Sequence, residues 1–335
     1  MRRAAIPTLL AASALLILPA SLTDGTTLAS GRQVRRPQTF RAATELVRID
    51  VLATLNGRPL KNLTADDFEV LDNGVPQRPQ IVTTAGSVKV MLLLDVSGSI
   101  AWGAKMQRLV SASQALIGGL GADDEASLLT FADRYSVQAT AVRDREVIEE
   151  RLMAASAQPM GRTALWDALF VGLSLLAGEG GRSLVLVFSD GLDTASWCDG
   201  QKAREVIGHA EAVVYAVTVP ALPALGPEEA EARPEGQRGW LPEVNRARES
   251  FVPKDLKDVV ERSGGELFPA EQGEGLANTF LAVLDQFRAR YLLTYEPTGV
   301  RRDDGWHELR VRLKGRAGTI RARSGYYATL GGAGR

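Results

Sequence analysis

The sequence predicts an α/β protein: a doubly wound, mostly parallel sheet with helices on both faces, inserted in or flanked by a small β-sandwich. Three observations lead there. Residues 88–290 alternate strand-like and helix-like runs, the strands in that stretch are continuously apolar, and both flanks carry short strands joined by turn dipeptides. Strands that are apolar throughout and separated by helices are buried on both faces, as in a parallel sheet covered by helices.

Composition narrows the class. The 335 residues are 45% hydrophobic and 24% charged, enough for one sizeable core and a smaller companion. A net charge of −1 offers no broad basic face for nucleic acid or anionic lipid, so neither is expected as a partner. Cys198 is the only cysteine. That excludes an intrachain disulfide and a cysteine-based metal cluster, and leaves a dimer bridge open beside the plainer reading of a spare loop thiol.

At the N-terminus, MRR precedes the apolar stretch AAIPTLLAASALLILPA, which is shorter than the roughly 20 residues of a spanning helix. Residues 1–30 read as a secretory signal peptide, with small residues at LPA-S and LAS-G as alternative cleavage points. An uncleaved anchor is the competing reading, opposed by Pro7 and Pro19, which interrupt a helix. Residues 31–43, rich in Arg and Pro, form a linker. The mature chain is expected to be periplasmic or secreted, with no membrane span.

In residues 44–86, TELVRIDVLATL sets Leu46, Ile49 and Val51 among polar neighbours and turns at Asn56-Gly57. FEVLDNGVPQRPQIV repeats the pattern with Asn73-Gly74, and Thr64 is placed to cap a short helical turn. So short a β unit is near the lower limit for a core. The C-terminal residues 291–330 supply three more strand-like runs, RYLLTYEPTGV, WHELRVRLKG and GTIRARSGYYA, and the two ends are expected to build one sandwich around the middle. Two separate β appendages are the alternative.

The middle, 88–290, opens with the strand VKVMLLLD and the helix AKMQRLVSASQALIGGL, whose apolar residues recur at spacings of three and four. ASLLTFAD and YSVQATAV follow as strands, then helices through EVIEERLMAA and TALWDALFVGLSLLAG, the strand SLVLVFSD, a helix near KAREVIGHA and the strand AVVYAVTV. A helix at DLKDVVERSG, a short strand at ELF and a long helix through GLANTFLAVLDQFRAR complete the unit. Such sheets bind ligands beyond the carboxyl ends of their strands.

Asp95 ends the first of these strands in LLLDVSGSI, and alternation across Asp95, Ser97 and Ser99 points three oxygens the same way, with Gly98 easing the turn. Asp190 ends another strand at the same sheet edge, and Thr163 follows the flexible Gly161 at a helix start. Two carboxylates and three hydroxyls, without His or Cys, describe a hard-oxygen site suited to Mg²⁺, Mn²⁺ or Ca²⁺. With so little protein charge, the ion keeps waters and one replaceable position.

In this order and context, Asp95-x-Ser97-x-Ser99, Thr163 and Asp190 resemble the metal-ion-dependent adhesion site (MIDAS) of von Willebrand factor A (VWA) domains. FEVLDNGVPQ, SDGLDTAS and YLLTYEPTG…WHELRVRLKGR…RARSGYY extend the likeness over nearly the whole mature chain, to the exported VWFA-related family of acidobacteria. The resemblance implies a divalent cation held by Ser97, Ser99 and Thr163, with Asp95 and Asp190 acting directly or through water. It also implies a protein partner whose Asp or Glu completes the octahedron. Ile100 stands where that family commonly has Met, and packs behind the turn.

A site of neutral hydroxyls leaves the ion's charge incompletely offset, which favours capture of a carboxylate over turnover. A metal-dependent hydrolase would need a positioned base, and His209 and His307, the only histidines, are remote from the motif in sequence. His209 reads as a helix C-terminal cap. A phosphotransferase of the haloacid-dehalogenase type would need a carboxylate where Ser97 stands, and a serine hydrolase would need a nucleophile elbow. A scaffold subunit of a larger envelope complex is the third alternative. Trp102 and Trp197 are placed on the rim of the site, as partner contacts or as packing under the loops. Residues 220–253 are expected to flank the cleft or to form a solvated excursion. Asp193 reads as a turn former in preference to an acceptor behind the ion. The oligomeric state is not written in the sequence.

Overall fold

The computed structural model describes residues 46–83, 86–101, 105–156, 161–176, 181–219, 254–270, 275–301 and 305–328. The expected signal peptide at 1–30, the linker at 31–43, Trp102 and the segment 220–253 lie outside them. Among the described residues no helix is long and apolar enough to cross a membrane.

The chain begins with β1 (Val47–Leu55) and β2 (Arg58–Pro59), joined at Asn56-Gly57 with φ of 50° and 77°. A 3-10 turn at Ala65–Asp67 is fastened by the Asp67 carboxylate, which accepts from the Thr64 N–H at 2.8 Å and the Thr64 hydroxyl at 2.9 Å. Then come β3 (Phe68–Asp72), β4 (Val75–Gln77) and β5 (Gln80–Thr83), with Asn73-Gly74 at φ of 47° and 81° between the first two. Two successive positive φ angles are what a type I′ hairpin turn demands and what Asn-Gly tolerates. The register of β1 differs from the expected one: Leu46 is exposed, and Val47, Ile49 and Val51 face the core.

The α/β part runs β6 (Val88–Asp95), α1 (Gly98–Ala101), α2 (Lys105–Gly118), β7 (Glu125–Phe131), β8 (Tyr135–Val142), α3 (Arg145–Ser156), α4 (Leu165–Leu176), β9 (Arg182–Ser189), α5 (Gly200–His209), β10 (Ala212–Thr218), α6 (Lys254–Arg262), β11 (Leu267–Pro269) and α7 (Gly275–Arg288). The sheet order is β11-β10-β9-β6-β7-β8, parallel except for β8, which pairs antiparallel with β7 at one edge. Period-two geometry splits β6 between two cores. Val88, Val90, Leu92 and Leu94 face α2, α3 and α7, and Met91 and Leu93 face α4, α5 and α6. The chain leaves β6 toward β7, and β9 lies on the opposite side. A crevice therefore opens beyond the carboxyl ends of β6 and β9, the topological switch point of such a sheet.

After α7 come β12 (Tyr291–Tyr295), β13 (Trp306–Leu313), β14 (Thr319–Arg321) and β15 (Gly325–Tyr327). The third C-terminal run is thus two strands, β14 and β15, because the chain leaves one sheet and enters the other between Ala322 and Ser324. Strands from both ends interleave: β1 pairs with β12 and β14, and β3 with β13. The sheets β14-β1-β12-β5 and β15-β13-β3-β4 enclose a core of Ile49, Val51, Phe68, Val70, Leu293 and their neighbours. Inside it, buried Asp72 accepts from the hydroxyls of Tyr295 at 2.8 Å and Tyr326 at 2.9 Å, and Nδ1 of His307 lies 2.9 Å away. His209, expected as a plain helix cap, stacks on Tyr327 of β15 with ring centroids 4.6 Å apart.

Two arginines tie the sandwich to the α/β layers. Arg182, at the start of β9, donates Nε to Asp50 Oδ1 of β1 at 2.9 Å and Nη2 to the Phe287 carbonyl at the end of α7 at 2.8 Å. Arg290 is fully buried and donates to the Asp50 carbonyl at 3.2 Å, the Tyr215 hydroxyl at 2.9 Å and the Gly264 carbonyl. Removing one member of a buried ion pair leaves the other charge uncompensated, a loss of about 3–5 kcal/mol. Asp50→Ala is therefore expected to lower the unfolding free energy by about that amount in a urea titration, and a loss below about 1 kcal/mol would show that the joint contributes little.

Candidate metal centre

Parallel pairing sets Leu94 of β6 beside Phe188 of β9, so the next residues along, Asp95 and the pair Ser189-Asp190, emerge together at the switch point. Asp95 is fully buried, and Ser97 and Asp190 nearly so. Past Asp95 the chain does not continue as an extended strand. It bends at Ser97 and enters α1 at Gly98, so strict alternation is not what aligns the hydroxyls. The bend does: Asp95 Oδ1 accepts the Ser97 N–H at 2.9 Å, and Ser97 Oγ and Ser99 Oγ come within 3.2 Å. Ile100 is fully buried behind them.

The Thr163 segment is laced to this turn. The Gly98 N–H donates to the Gly161 carbonyl at 3.1 Å, and Ala164 N–H to the Ala132 carbonyl at 2.7 Å. Thr163 itself is buried, 5% exposed. Gly161, expected as a flexible point, is a tightly fitted one: its φ is +106°, and a Cβ there would lie 2.1 Å from the Asp133 carboxylate.

The electrostatics are those of a strained pair. Burial pushes the Asp95 carboxyl up to about 7, the negative charge of Asp190 adds to the rise, and hydrogen bonds from Ser189 and Ser97 partly oppose it. Asp190 Oδ1 accepts the Leu192 N–H at 3.1 Å, but its buried Oδ2 meets no hydrogen-bond donor among the described residues. Such an orphaned oxygen calls for a proton, a water or a cation. The donor set, with hydroxyls at 97, 99 and 163 and carboxylates at 95 and 190, fits a hard divalent ion. Among the described residues no group of three or more His, Cys, Asp or Glu side chains gathers in a metal-holding arrangement, so a softer ligand set has no place here.

Several residues that frame the centre were not foreseen. Ser189 donates its hydroxyl to Asp95 Oδ2 at 2.6 Å and accepts the Gly191 N–H at 3.0 Å. Its only sequence signal is a hydroxyl closing the apolar run LVLVFS. Asp193, expected as a turn former, instead accepts the Leu165 N–H at 2.9 Å and the Ser196 hydroxyl, capping α4 from another loop. Thr194 and Ala195 donate their N–H groups to the Thr163 carbonyl at 2.8 and 3.0 Å. Asp167 collects the N–H groups of Trp197 and Cys198 and the Cys198 thiol, whose ionisation is pushed up to about 11 by burial and by that carboxylate. Cys198 is thus a hydrogen-bond donor in a protonated state. Trp197 is 98% exposed, which removes the packing alternative for it.

Residues 90–192 match the von Willebrand factor type A domain. The matched stretch runs from within β6 to just past Asp190, and the doubly wound sheet is the architecture expected of a VWA domain. Comparison with curated proteins returned no match. Among solved structures the chain is similar to a von Willebrand factor type A protein from Catenulispora acidiphila, at 12% identity over 81% of this chain and 76% of that one, with a TM-score of 0.47. It is also similar to an aerotolerance-related membrane protein from Bacteroides fragilis, at 15% identity over 60% and 98% of the two chains and a TM-score of 0.46. Proximal thread matrix protein 1 from the mussel byssus, with a zinc-occupied MIDAS motif, aligns at 15% identity over 67% and 49%, with a TM-score of 0.44.

A carboxyl whose folded-state value is about 7, against about 3.9 in an unfolded chain, favours folding below the lower value and loses that contribution as pH rises through the higher one. In chelator, Asp190→Asn removes the opposing charge. It is expected to stabilise the protein at about pH 8, above the Asp95 value, and to change little at about pH 5, where Asp95 holds its proton. Urea titrations at the two pH values measure this, and an equal effect at both would contradict the charge-pair account.

Proposed function

We propose that the chain is an exported, divalent-cation-dependent protein-binding module. The α/β domain, residues 88–290 inserted between sandwich segments 44–86 and 291–330, holds Mg²⁺, or alternatively Mn²⁺ or Ca²⁺, through Asp95, Ser97, Ser99, Thr163 and Asp190. The single observation that carries this reading is the buried Asp95–Asp190 pair, with an unpartnered Asp190 oxygen beside two converging hydroxyls. A cation there offsets both charges at once, whereas no neutral occupant does.

The chain's own residues set the terms of binding. The bend at Ser97 presents its hydroxyl and that of Ser99, and the cap on α4 fixes the Thr163 segment. When bound, the ion supplies a Lewis-acidic position open to an outside carboxylate, the Asp or Glu of a protein partner. Binding without turnover is supported by the residues around the crevice. His307 lies inside the sandwich against Asp72 and His209 stacks on Tyr327, so neither histidine faces the carboxyl ends of the sheet as a general base would. Export rests on the apolar stretch that follows MRR.

Isothermal calorimetry with MgCl₂ or MnCl₂ tests the centre. Wild type is expected to bind one ion per chain, Asp95→Ala to bind none, and Thr163→Val, which removes one hydroxyl at nearly constant volume, to bind at least about tenfold more weakly. Absence of uptake by wild type would overturn the proposal. Pull-down from a periplasmic extract in Mg²⁺ and in EDTA then separates capture from a bare metal site, since retention of a protein in both buffers is incompatible with carboxylate capture through the ion.

A further inference from the structure

Among the described residues, no other large apolar side chain is as exposed as one on the rim beside the candidate centre. Trp197 is 98% exposed, yet its backbone is held on both sides. Its own N–H and that of Cys198 donate to the Asp167 carboxylate at 3.1 and 2.9 Å. Upstream, the Ser196 hydroxyl accepts the Trp166 and Asp167 N–H groups at 3.0 and 3.1 Å, and the Thr194 N–H reaches the Thr163 carbonyl at 2.8 Å. The loop therefore has little freedom to tuck the indole inward, and an aromatic ring on a fixed backbone loses little conformational entropy when a partner covers it. A docked indole withdraws on the order of 200 Å² from water, the type of contact that dominates protein interfaces.

Its position says what should cover it. Trp197 is three positions after Thr194, so its Cα lies within about 11 Å of a residue bonded to the Thr163 backbone. In an extended segment, residues two apart project to one side about 7 Å from each other. We propose that Trp197 is a specificity-determining residue of the metal centre, and that the partner is an extended protein segment with a bulky apolar side chain two residues from the acidic one that meets the ion. The inference rests on the proposed metal-dependent capture and adds the identity of the second contact. Arg162, on the other flank of Thr163, is tied to Asp133 through its backbone N–H at 2.7 Å and Nε at 3.3 Å, so that flank is polar.

A phage-displayed library of random heptapeptide loops, selected on the immobilised full-length protein in Mg²⁺ and eluted with EDTA, tests this with wild type, Trp197→Ala and Trp197→Phe as baits. Because the indole is almost wholly exposed, far-UV circular dichroism and unfolding midpoints of both variants should equal those of wild type. An Asp or Glu is expected in the peptides recovered from all three baits. Leu, Ile, Met, Phe or Tyr two positions from that acid is expected about fivefold or more enriched on wild type and on Trp197→Phe relative to Trp197→Ala. Acidic peptides without an apolar neighbour, or with one that survives Trp197→Ala, overturn the role of Trp197 while leaving metal-dependent capture intact. Recovery that shows no acidic residue, or that EDTA does not release, removes the underlying reading and this inference with it.

Discussion

Two buried carboxylates at the ends of adjacent parallel strands are the constraint around which the α/β unit is organised. The charge of Asp190 opposes a charge on Asp95 in a low-dielectric crevice, and burial alone already opposes the ionisation of Asp95. A fold keeps such a pair only where its surroundings are rigid enough to prevent it from relaxing into solvent. Here rigidity comes from strand pairing beneath the pair, from Ser189 donating to Asp95, and from the turn that closes over Ser97.

The loops that complete the crevice hold one another through side chain to backbone bonds, not through an apolar core of their own. Asp193 and Ser196 satisfy the free N–H groups at the start of α4, a task that a helix usually leaves to the residue preceding it. Because the cap comes from the loop after β9, the Thr163 segment and the Asp190 segment cannot move independently. Cys198 and Asp167 extend the same lacing outward and leave the indole of Trp197 in solvent. Polar caps at the rim thus fix the positions of these loops relative to one another.

At the far end of the sheet, Arg182 and Arg290 bind the sandwich to the last helix through Asp50, Phe287 and Tyr215. Their charges are buried, so the joint is specific in geometry: a shift of α7 along its axis would strand a guanidinium among carbonyls it no longer reaches.

Much of this was legible in the residues themselves. Continuous apolar runs spaced by helical periods determine a covered parallel sheet, Asn-Gly dipeptides determine two hairpins, and carboxylates that end apolar strands mark the carboxyl edge, because these are short-range consequences of periodicity and sterics. Tertiary structure alone decided the rest. The bend at Ser97, the register that exposes Leu46 and buries Val47, the division of the last run into β14 and β15, and the capping of α4 by Asp193 and Ser196 all depend on partners 28 residues or more away in several cases. Nothing within a local window specifies such partners. Burial of Arg290, suppressed ionisation at Asp95 and solvent exposure of Trp197 are likewise properties of what surrounds a side chain, and only the assembled fold supplies the surroundings.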